Sequence, residues 1–130
     1  MEHTFQRPRL LVVDDDFDMT NTLKELLSDY DYDVDVACDG VQALGKIRSQ
    51  SYNAILCDYQ MPRMNGQALY ETLQQSHPEA VSRFIFVTAN ARVPEVLKFF
   101  RSVKVPFLEK PFRSAEVVHL VQKVLQTSTN

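Results

Sequence analysis

Glycine and cysteine are scarce in this chain of 130 residues, which contains three glycines and two cysteines. Together with 45% hydrophobic and 24% charged residues, this composition is typical of a folded globular protein and argues against global disorder. Cys38 and Cys57 lack the CxxC spacing of zinc and redox sites, so we expect two reduced thiols. A core of this size folds without a disulfide.

Long apolar runs are also missing. No run approaches the roughly 20 residues that cross a bilayer, and the start, MEHTFQRPR, lacks the apolar segment of a secretory signal peptide. The formal net charge of −3 lacks the basic excess that binding to nucleic acid requires. We therefore expect a cytoplasmic protein that binds neither membranes nor nucleic acids.

The sequence shows no linker, internal repeat or low-complexity segment. Single hydrophobic cores typically hold about 100 to 150 residues. We therefore predict one domain over residues 1–130, with its core over residues 9–125.

Five short apolar runs alternate with five helix-like patterns, which predicts an α/β fold with a five-stranded parallel sheet and helices on both faces. The second run alternates apolar and polar residues and the fifth contains Pro106, so both are expected at the edges of the sheet. The predicted strands are Arg9 to Val13, Val34 to Ala37, Ala54 to Cys57, Phe84 to Val87 and Val105 to Leu108.

The predicted helices follow from apolar residues at helical spacing. Asp39-Gly40 is expected to open the second helix, and Ser114 is expected to cap the last one. The five apolar stripes start at Met19, Val41, Ala68, Val93 and Val117, and the first ends at Tyr30.

Chemically useful side chains follow four of the predicted strands. Because ligands of such sheets lie beyond the carboxyl ends of the strands, these side chains should converge. Carboxylates suit Mg²⁺, and an aspartate can attack phosphorus to form an acyl phosphate. A hydroxyl and an ammonium would stabilise the phosphoryl oxygens. The residues are Asp14, Asp15 and Asp16 after the first strand, Asp58 after the third, Thr88 after the fourth and Lys110 after the fifth.

Four motifs occur in order along the chain: VVDDD, CDYQMPRMNG, FVTAN and FLEKPF. They resemble the receiver domain of two-component response regulators, and the resemblance extends from Arg9 to Leu125. It implies a flavodoxin-like (βα)5 three-layer sandwich with a five-stranded parallel sheet in the order 2-1-3-4-5. It also implies a regulatory domain that catalyses only its own phosphorylation and autodephosphorylation.

The same resemblance assigns roles to the acidic residues. By the match, Asp58 is the phosphoacceptor. Asp14, Asp15 and Asp58, together with the backbone carbonyl of Gln60, would hold Mg²⁺ as the cofactor.

The resemblance further implies a switch. Thr88 would turn toward the phosphoryl group, and Lys110 would pair with it. Phe107 occupies the switch position at which the family often has tyrosine. The Lys110-Pro111 peptide bond is expected to be cis.

A histidine kinase or a histidine phosphotransfer protein would donate the phosphoryl group. The output face would consist of the fourth predicted helix, the fifth strand and the fifth predicted helix. That face would bind a downstream protein or, after phosphorylation, a second copy of the chain. Phe99 is expected on an exposed flank of the fourth helix, where it would form an apolar patch with Val103 and Phe107.

One departure from the family pattern indicates which kind of receiver domain the chain resembles. The segment RSVKVPFLEKPF lacks the Gly-Ala pair that usually precedes the fifth strand. The chain is therefore more similar to the receivers of hybrid sensor kinases than to those of DNA-binding regulators.

Two other interpretations are open at this point. Asp16 to Thr20 fits the DxDxT nucleophile motif of magnesium-dependent, haloacid-dehalogenase-type phosphatases, which hydrolyse external phosphoesters. That fold also needs a late acidic pair, which the sequence lacks. Alternatively, the chain is a degenerate receiver that acts only as a binding module, although every expected chemical position is filled.

Overall fold

The fold is a five-stranded parallel sheet covered by helices on both faces, and the computed structural model describes residues 6–127. The strand order is β2-β1-β3-β4-β5, and all four neighbouring pairs are parallel. This is the predicted flavodoxin-like three-layer sandwich. The strands are β1 (Arg9–Val13), β2 (Asp33–Ala37), β3 (Ala54–Asp58), β4 (Phe84–Thr88) and β5 (Phe107–Glu109).

Residues 6–127 contain one helix more than the sequence pattern predicts. The extra helix is a single turn that begins at Pro78, and it follows the third predicted helix almost directly. The fourth and fifth predicted helices are therefore α5 and α6. The helices are α1 (Phe17–Ser28), α2 (Gly40–Ser49), α3 (Gly66–Ser76), α4 (Pro78–Val81), α5 (Pro94–Val103) and α6 (Ser114–Thr127).

Successive strand residues point to opposite faces, and this alternation divides the core into two clusters. Leu11 and Val13 of β1 lie under α2, α3 and α5, whereas Leu10 and Val12 lie under α1 and α6. Strands β1, β3 and β4 are apolar on both faces because helices cover both. This explains their nearly continuous apolar runs.

β2 and β5 lie at the edges of the sheet, as predicted. The predicted limits of the fifth strand are wrong, however, because β5 starts at Phe107 and ends at Glu109. Proline has no N–H to donate to the strand ladder, and Pro106 precedes the strand, where its carbonyl accepts from the Phe86 N–H. Val105 is still buried, so the apolar run indicated which residues are buried but not where the strand begins.

Three apolar residues at the ends of the predicted helix stripes are exposed rather than packed inward. Tyr30 lies beyond the end of α1, Val41 is in the first turn of α2, and Val93 precedes α5 as its N-cap. The expected start of α2 is confirmed, since the Asp39 carboxylate accepts from the Gln42 N–H. Ser114, expected as a cap, is instead the first residue of α6.

Within residues 6–127, no helix is long and apolar enough to span a bilayer. The predicted domain, 1–130, extends beyond the described residues at both ends.

Candidate functional site

The candidate site lies at the carboxyl edge of the sheet. Asp58 and Thr88 are the last residues of β3 and β4, and Asp14 directly follows β1. The Asp14 N–H donates to the Ala37 carbonyl, which continues the pairing of β1 with β2 beyond the end of β1. Regular strand pairing therefore positions the candidate side chains.

Asp14, Asp15 and Asp58 each offer a carboxylate oxygen within 4.8 Å of the others. Asp14 and Asp58 are buried, and Asp15 is exposed at the mouth of the site. Three carboxylates at such spacing match the oxygen ligands that Mg²⁺ takes from proteins, and the exposed side leaves room for its waters. The residues present therefore fit the ion.

Asp16 is not part of this carboxylate group and instead caps a helix. Its carboxylate accepts from the N–H groups of Asp18 and Met19, so it caps α1. Its own N–H donates to Asp14 Oδ1 at 2.9 Å, which helps to orient that carboxylate.

The Lys110 ammonium lies between the two buried carboxylates. Its Nζ is 3.0 Å from Asp14 Oδ2 and 3.5 Å from Asp58 Oδ2. Burial lowers the pKa of Lys110, but the hydrogen bond to Asp14 and the nearby negative charges outweigh this effect and raise the pKa overall. Lys110 is therefore charged at neutral pH. The Lys110-Pro111 peptide bond is cis, as expected.

Burial and the neighbouring charge of Asp14 raise the pKa of Asp58 to about 6. The Lys110 charge and the N–H of Gln60, which donates to Asp58 Oδ1 at 3.2 Å, act in the opposite direction. Asp58 is thus held in an environment that disfavours its charge in the absence of a bound cation.

A hydrogen bond between side chains connects the loops that follow β3 and β4. Asn90 Nδ2 donates to Gln60 Oε1 at 2.7 Å. The Asn90 N–H also donates to Thr88 Oγ1 at 2.9 Å, so the buried threonine hydroxyl is held toward its own loop. The sequence analysis gave Gln60 a role only through its backbone carbonyl, and it did not predict this side-chain contact with Asn90.

Asp39 and Arg63 form an ion pair that the sequence reasoning missed. Arg63 Nη1 donates to Asp39 Oδ2 at 3.1 Å, which joins the β2–α2 connection to the β3–α3 loop. The Asp39-Gly40 pair was a helix-start signal, but no spacing rule connects it to a residue 24 positions later. The pairing emerges only from the fold.

The expected exposure of Phe99 is wrong. Phe99 is half-buried and its ring contacts those of Tyr59, Tyr70 and Phe86. These rings fill the space between α3 and α5, which draws Phe99 inward. Phe107 is exposed and stacks on Phe100 with ring centroids 4.8 Å apart.

Both cysteines are free, as expected. Cys38 is exposed, and Cys57 is buried beside Asp58. Burial raises the pKa of the Cys57 thiol, so it stays neutral and packs as an apolar side chain.

The chain is similar to known signalling proteins. A family model described as the response regulator receiver domain matches residues 10–122. Hybrid signal transduction histidine kinase D of Dictyostelium discoideum is 32% identical over 124 residues, which are 95% of this chain and 8% of that protein. Transcriptional regulatory protein CpxR of Escherichia coli K12 is 34% identical over 120 residues, which are 92% of this chain and 50% of that protein. The chain thus spans half or less of these relatives' lengths.

Solved structures show the same likeness. A CheY-like receiver domain protein from Methanospirillum hungatei JF-1 is 26% identical with a TM-score of 0.86, covering 95% of this chain and 97% of that one. The chemotaxis protein CheY4 of Vibrio cholerae is 27% identical with a TM-score of 0.82, covering 92% of this chain and 100% of that one. This chain therefore belongs to the response regulator receiver domain family, the regulatory phosphoacceptor domains of two-component signalling.

Proposed function

We propose that Asp58 is the phosphoacceptor and that it receives its phosphoryl group from a histidine kinase or a histidine phosphotransfer protein. The observation that carries this proposal is the environment of Asp58. It ends β3 at the ligand-binding edge of the sheet, with the Lys110 ammonium 3.5 Å away and two further aspartates beside it.

The transfer is a displacement at phosphorus. An oxygen of the Asp58 carboxylate attacks, the new P–O bond gives an acyl phosphate, and the P–N bond to the donor histidine breaks. The electron pair of that bond remains on the imidazole nitrogen. Lys110 and Thr88 offer an ammonium and a hydroxyl at the site edge, which are the donors that the phosphoryl oxygens need.

The cofactor of this proposal is Mg²⁺. The carboxylates of Asp14, Asp15 and Asp58 and the backbone carbonyl of Gln60 would hold it. When bound, the ion offsets the repulsion among the carboxylates and draws the phosphoryl group to the site. Asp14 is kept in place independently of the ion, because it accepts from the Asp16 N–H and from Lys110.

Output follows from the change in charge. A phosphoryl group adds roughly −1.5 to −2 charges, which draws the Thr88 hydroxyl away from the Asn90 N–H. That movement lets Phe107 repack and changes the face made by α5, β5 and α6. The output partner is a downstream protein or a second copy of the chain. Phe107 is the exposed part of this patch, whereas Val103 and Phe99 are both half-buried.

The phosphatase interpretation makes Asp16 the nucleophile. The capping role of Asp16 speaks against it, because two helix N–H groups donate to its Oδ1. Thr20 of the same motif is buried within α1, where its hydroxyl donates to the Phe17 carbonyl.

The test is intact-mass measurement after incubation with Mg²⁺ and a small acyl-phosphate donor. We expect one phosphoryl group per chain, with no adduct on Asp58→Asn and an unchanged adduct on Asp16→Asn. Repeated turnover of an external phosphoester that Asp16→Asn abolishes would support the phosphatase instead. Absence of both an adduct and Mg²⁺ binding would leave the degenerate binding module.

A further inference from the structure

We infer that Arg63 and Asp39 form a clasp that positions the β3–α3 loop for Mg²⁺ binding. The inference rests on the proposed function, since it concerns the loop that carries Gln60. Arg63 acts in it as a positioning residue and contributes no ligand.

Asp39 provides the fixed half of the clasp. Its side chain is 3% exposed, and its Oδ1 accepts from the Gln42 N–H at 2.8 Å while Oδ2 accepts from Arg63. A buried carboxylate needs both charge compensation and hydrogen bonds. Arg63 is the cation that contacts Asp39. Separating the two loops would leave the buried Asp39 carboxylate without its counter-charge, which is unfavourable.

Arg63 provides the movable half. Its side chain is 72% exposed, and its backbone has a φ of 67°, which side chains other than glycine rarely adopt. An exposed arginine in an unfavourable backbone conformation persists only where its surroundings hold it there. A turn in which the Met64 N–H donates to the Pro62 carbonyl at 2.8 Å holds the Arg63 backbone, and the ion pair with Asp39 holds its side chain.

A second contact joins the same two segments. A Cβ added to Gly40 would lie 2.5 Å from the Met64 carbonyl oxygen and 2.8 Å from Met64 Cβ. The first turn of α2 thus touches the loop backbone directly beside Arg63. Glycine at position 40 permits this approach, and the clasp holds the surfaces together.

The loop is also closed at both ends. The Gly66 N–H donates to the Tyr59 carbonyl at 2.9 Å, and the Gln60 N–H donates to Asp58 Oδ1 at 3.2 Å. Between these bonds, Arg63 and Met64 are the points that attach the loop to α2. Releasing them lets the segment around Gln60 move relative to Asp58, which disorders one side of the metal site.

Removing Arg63 changes the charge near the metal site as well as the position of the loop, and the two changes should affect Mg²⁺ affinity in opposite directions. Removing a cation near an acidic site reduces repulsion of Mg²⁺ and should tighten its binding. Loss of positioning should weaken it. The sign of the change in affinity therefore separates the two mechanisms.

The experiment is titration calorimetry of the intact chain with Mg²⁺. We expect Arg63→Ala to bind about tenfold more weakly than wild type, as for other residues that orient metal ligands indirectly. Arg63→Lys should stay close to wild type, because an ammonium can replace the single bond to Asp39. Arg48→Ala, which removes the same charge from an exposed position on α2, is the matched control and should bind at least as tightly as wild type.

Gly40→Ala tests the clasp without changing any charge. It should also weaken Mg²⁺ binding, and circular dichroism should show a folded protein. Equal or tighter binding by Arg63→Ala, with wild type binding normally, would overturn the clasp and leave the proposed function intact. Absence of Mg²⁺ binding by wild type would overturn the proposed metal site and the clasp together.

Discussion

Asp58 is held where its own negative charge is unfavourable. Burial and the charge of Asp14 together outweigh the nearby Lys110 ammonium, and the pKa of Asp58 rises to about 6. The convergence of these aspartates could be predicted, because parallel strands present their carboxyl ends at one edge. The Asp39–Arg63 pair could not, because it joins residues from separate loops whose proximity depends on how α2 packs against the sheet.

Asp58→Asn should stabilise the metal-free protein above pH 6. The pKa of Asp58 is raised from 3.8 to about 6 in the folded state, so its contribution to stability is present below pH 3.8 and is lost as the pH rises through 6. Asparagine avoids this loss, and we expect a gain on the order of 1 to 3 kcal/mol at pH 7.5.

Urea unfolding in the presence of a chelator measures this effect. The difference between Asp58→Asn and wild type should shrink as the pH falls from 7.5 to 4. Asp18→Asn, at an exposed position in α1, is the control for the loss of one negative charge. A less stable Asp58→Asn at pH 7.5 would refute the unfavourable charge.

At the scale of elements, periodicity was sufficient for the order along the chain of the five strands and the five longer helices. It failed where tertiary packing decides: β5 is shorter than its apolar run, α4 is a single turn, and Phe99 lies half-buried among aromatic rings. The sheet edges could be predicted because the alternation in β2 and the proline before β5 are both typical of strands that lack a neighbouring strand on one side.

The contact between α3 and the end of β3 should be intolerant of added volume. A Cβ on Gly66 would lie 2.6 Å from the Asp58 carbonyl oxygen and 3.0 Å from Tyr59 Cα, and backbone atoms cannot easily retreat. We expect Gly66→Ala to lower the free energy of unfolding by about 1 to 3 kcal/mol.

Gly45 is the matched control for this substitution. A Cβ there has no neighbour within 4 Å among the described residues, and the position is exposed on α2. Gly45→Ala should therefore raise the free energy of unfolding by about 0.5 to 1 kcal/mol in the same denaturation experiment. Equal effects of the two substitutions would contradict the close approach at Gly66.

At the scale of the whole molecule, the two ends of the sheet differ. The carboxyl ends of the strands carry the candidate site, whereas a hydrogen-bond network stabilises the opposite end. Near the amino ends of the strands, Tyr52 donates its hydroxyl to Asp35 at 2.7 Å, and Gln50 bonds to both. Burial, followed by the bond to Asp35, raises the pKa of Tyr52 to about 12, so the tyrosine stays neutral and the network stays intact at physiological pH. Conformational change should therefore concentrate at the opposite edge.

Amide chemical shifts before and after phosphorylation measure this distribution. We expect large changes at Thr88, in α5 and in β5, because the proposed switch begins at the threonine hydroxyl. Changes at Tyr52 and Asn53 should be small. Equal changes at both edges would mean that phosphorylation reorganises the whole fold rather than one face.

The most direct measurement of the central claim is the position of the phosphoryl group. Borohydride reduces an aspartyl phosphate to homoserine, so peptide mass spectrometry after reduction identifies the modified residue. We predict homoserine at position 58 when Mg²⁺ is present and none when a chelator removes the ion. Modification at Asp16 or at any other residue, with position 58 unchanged, would contradict it.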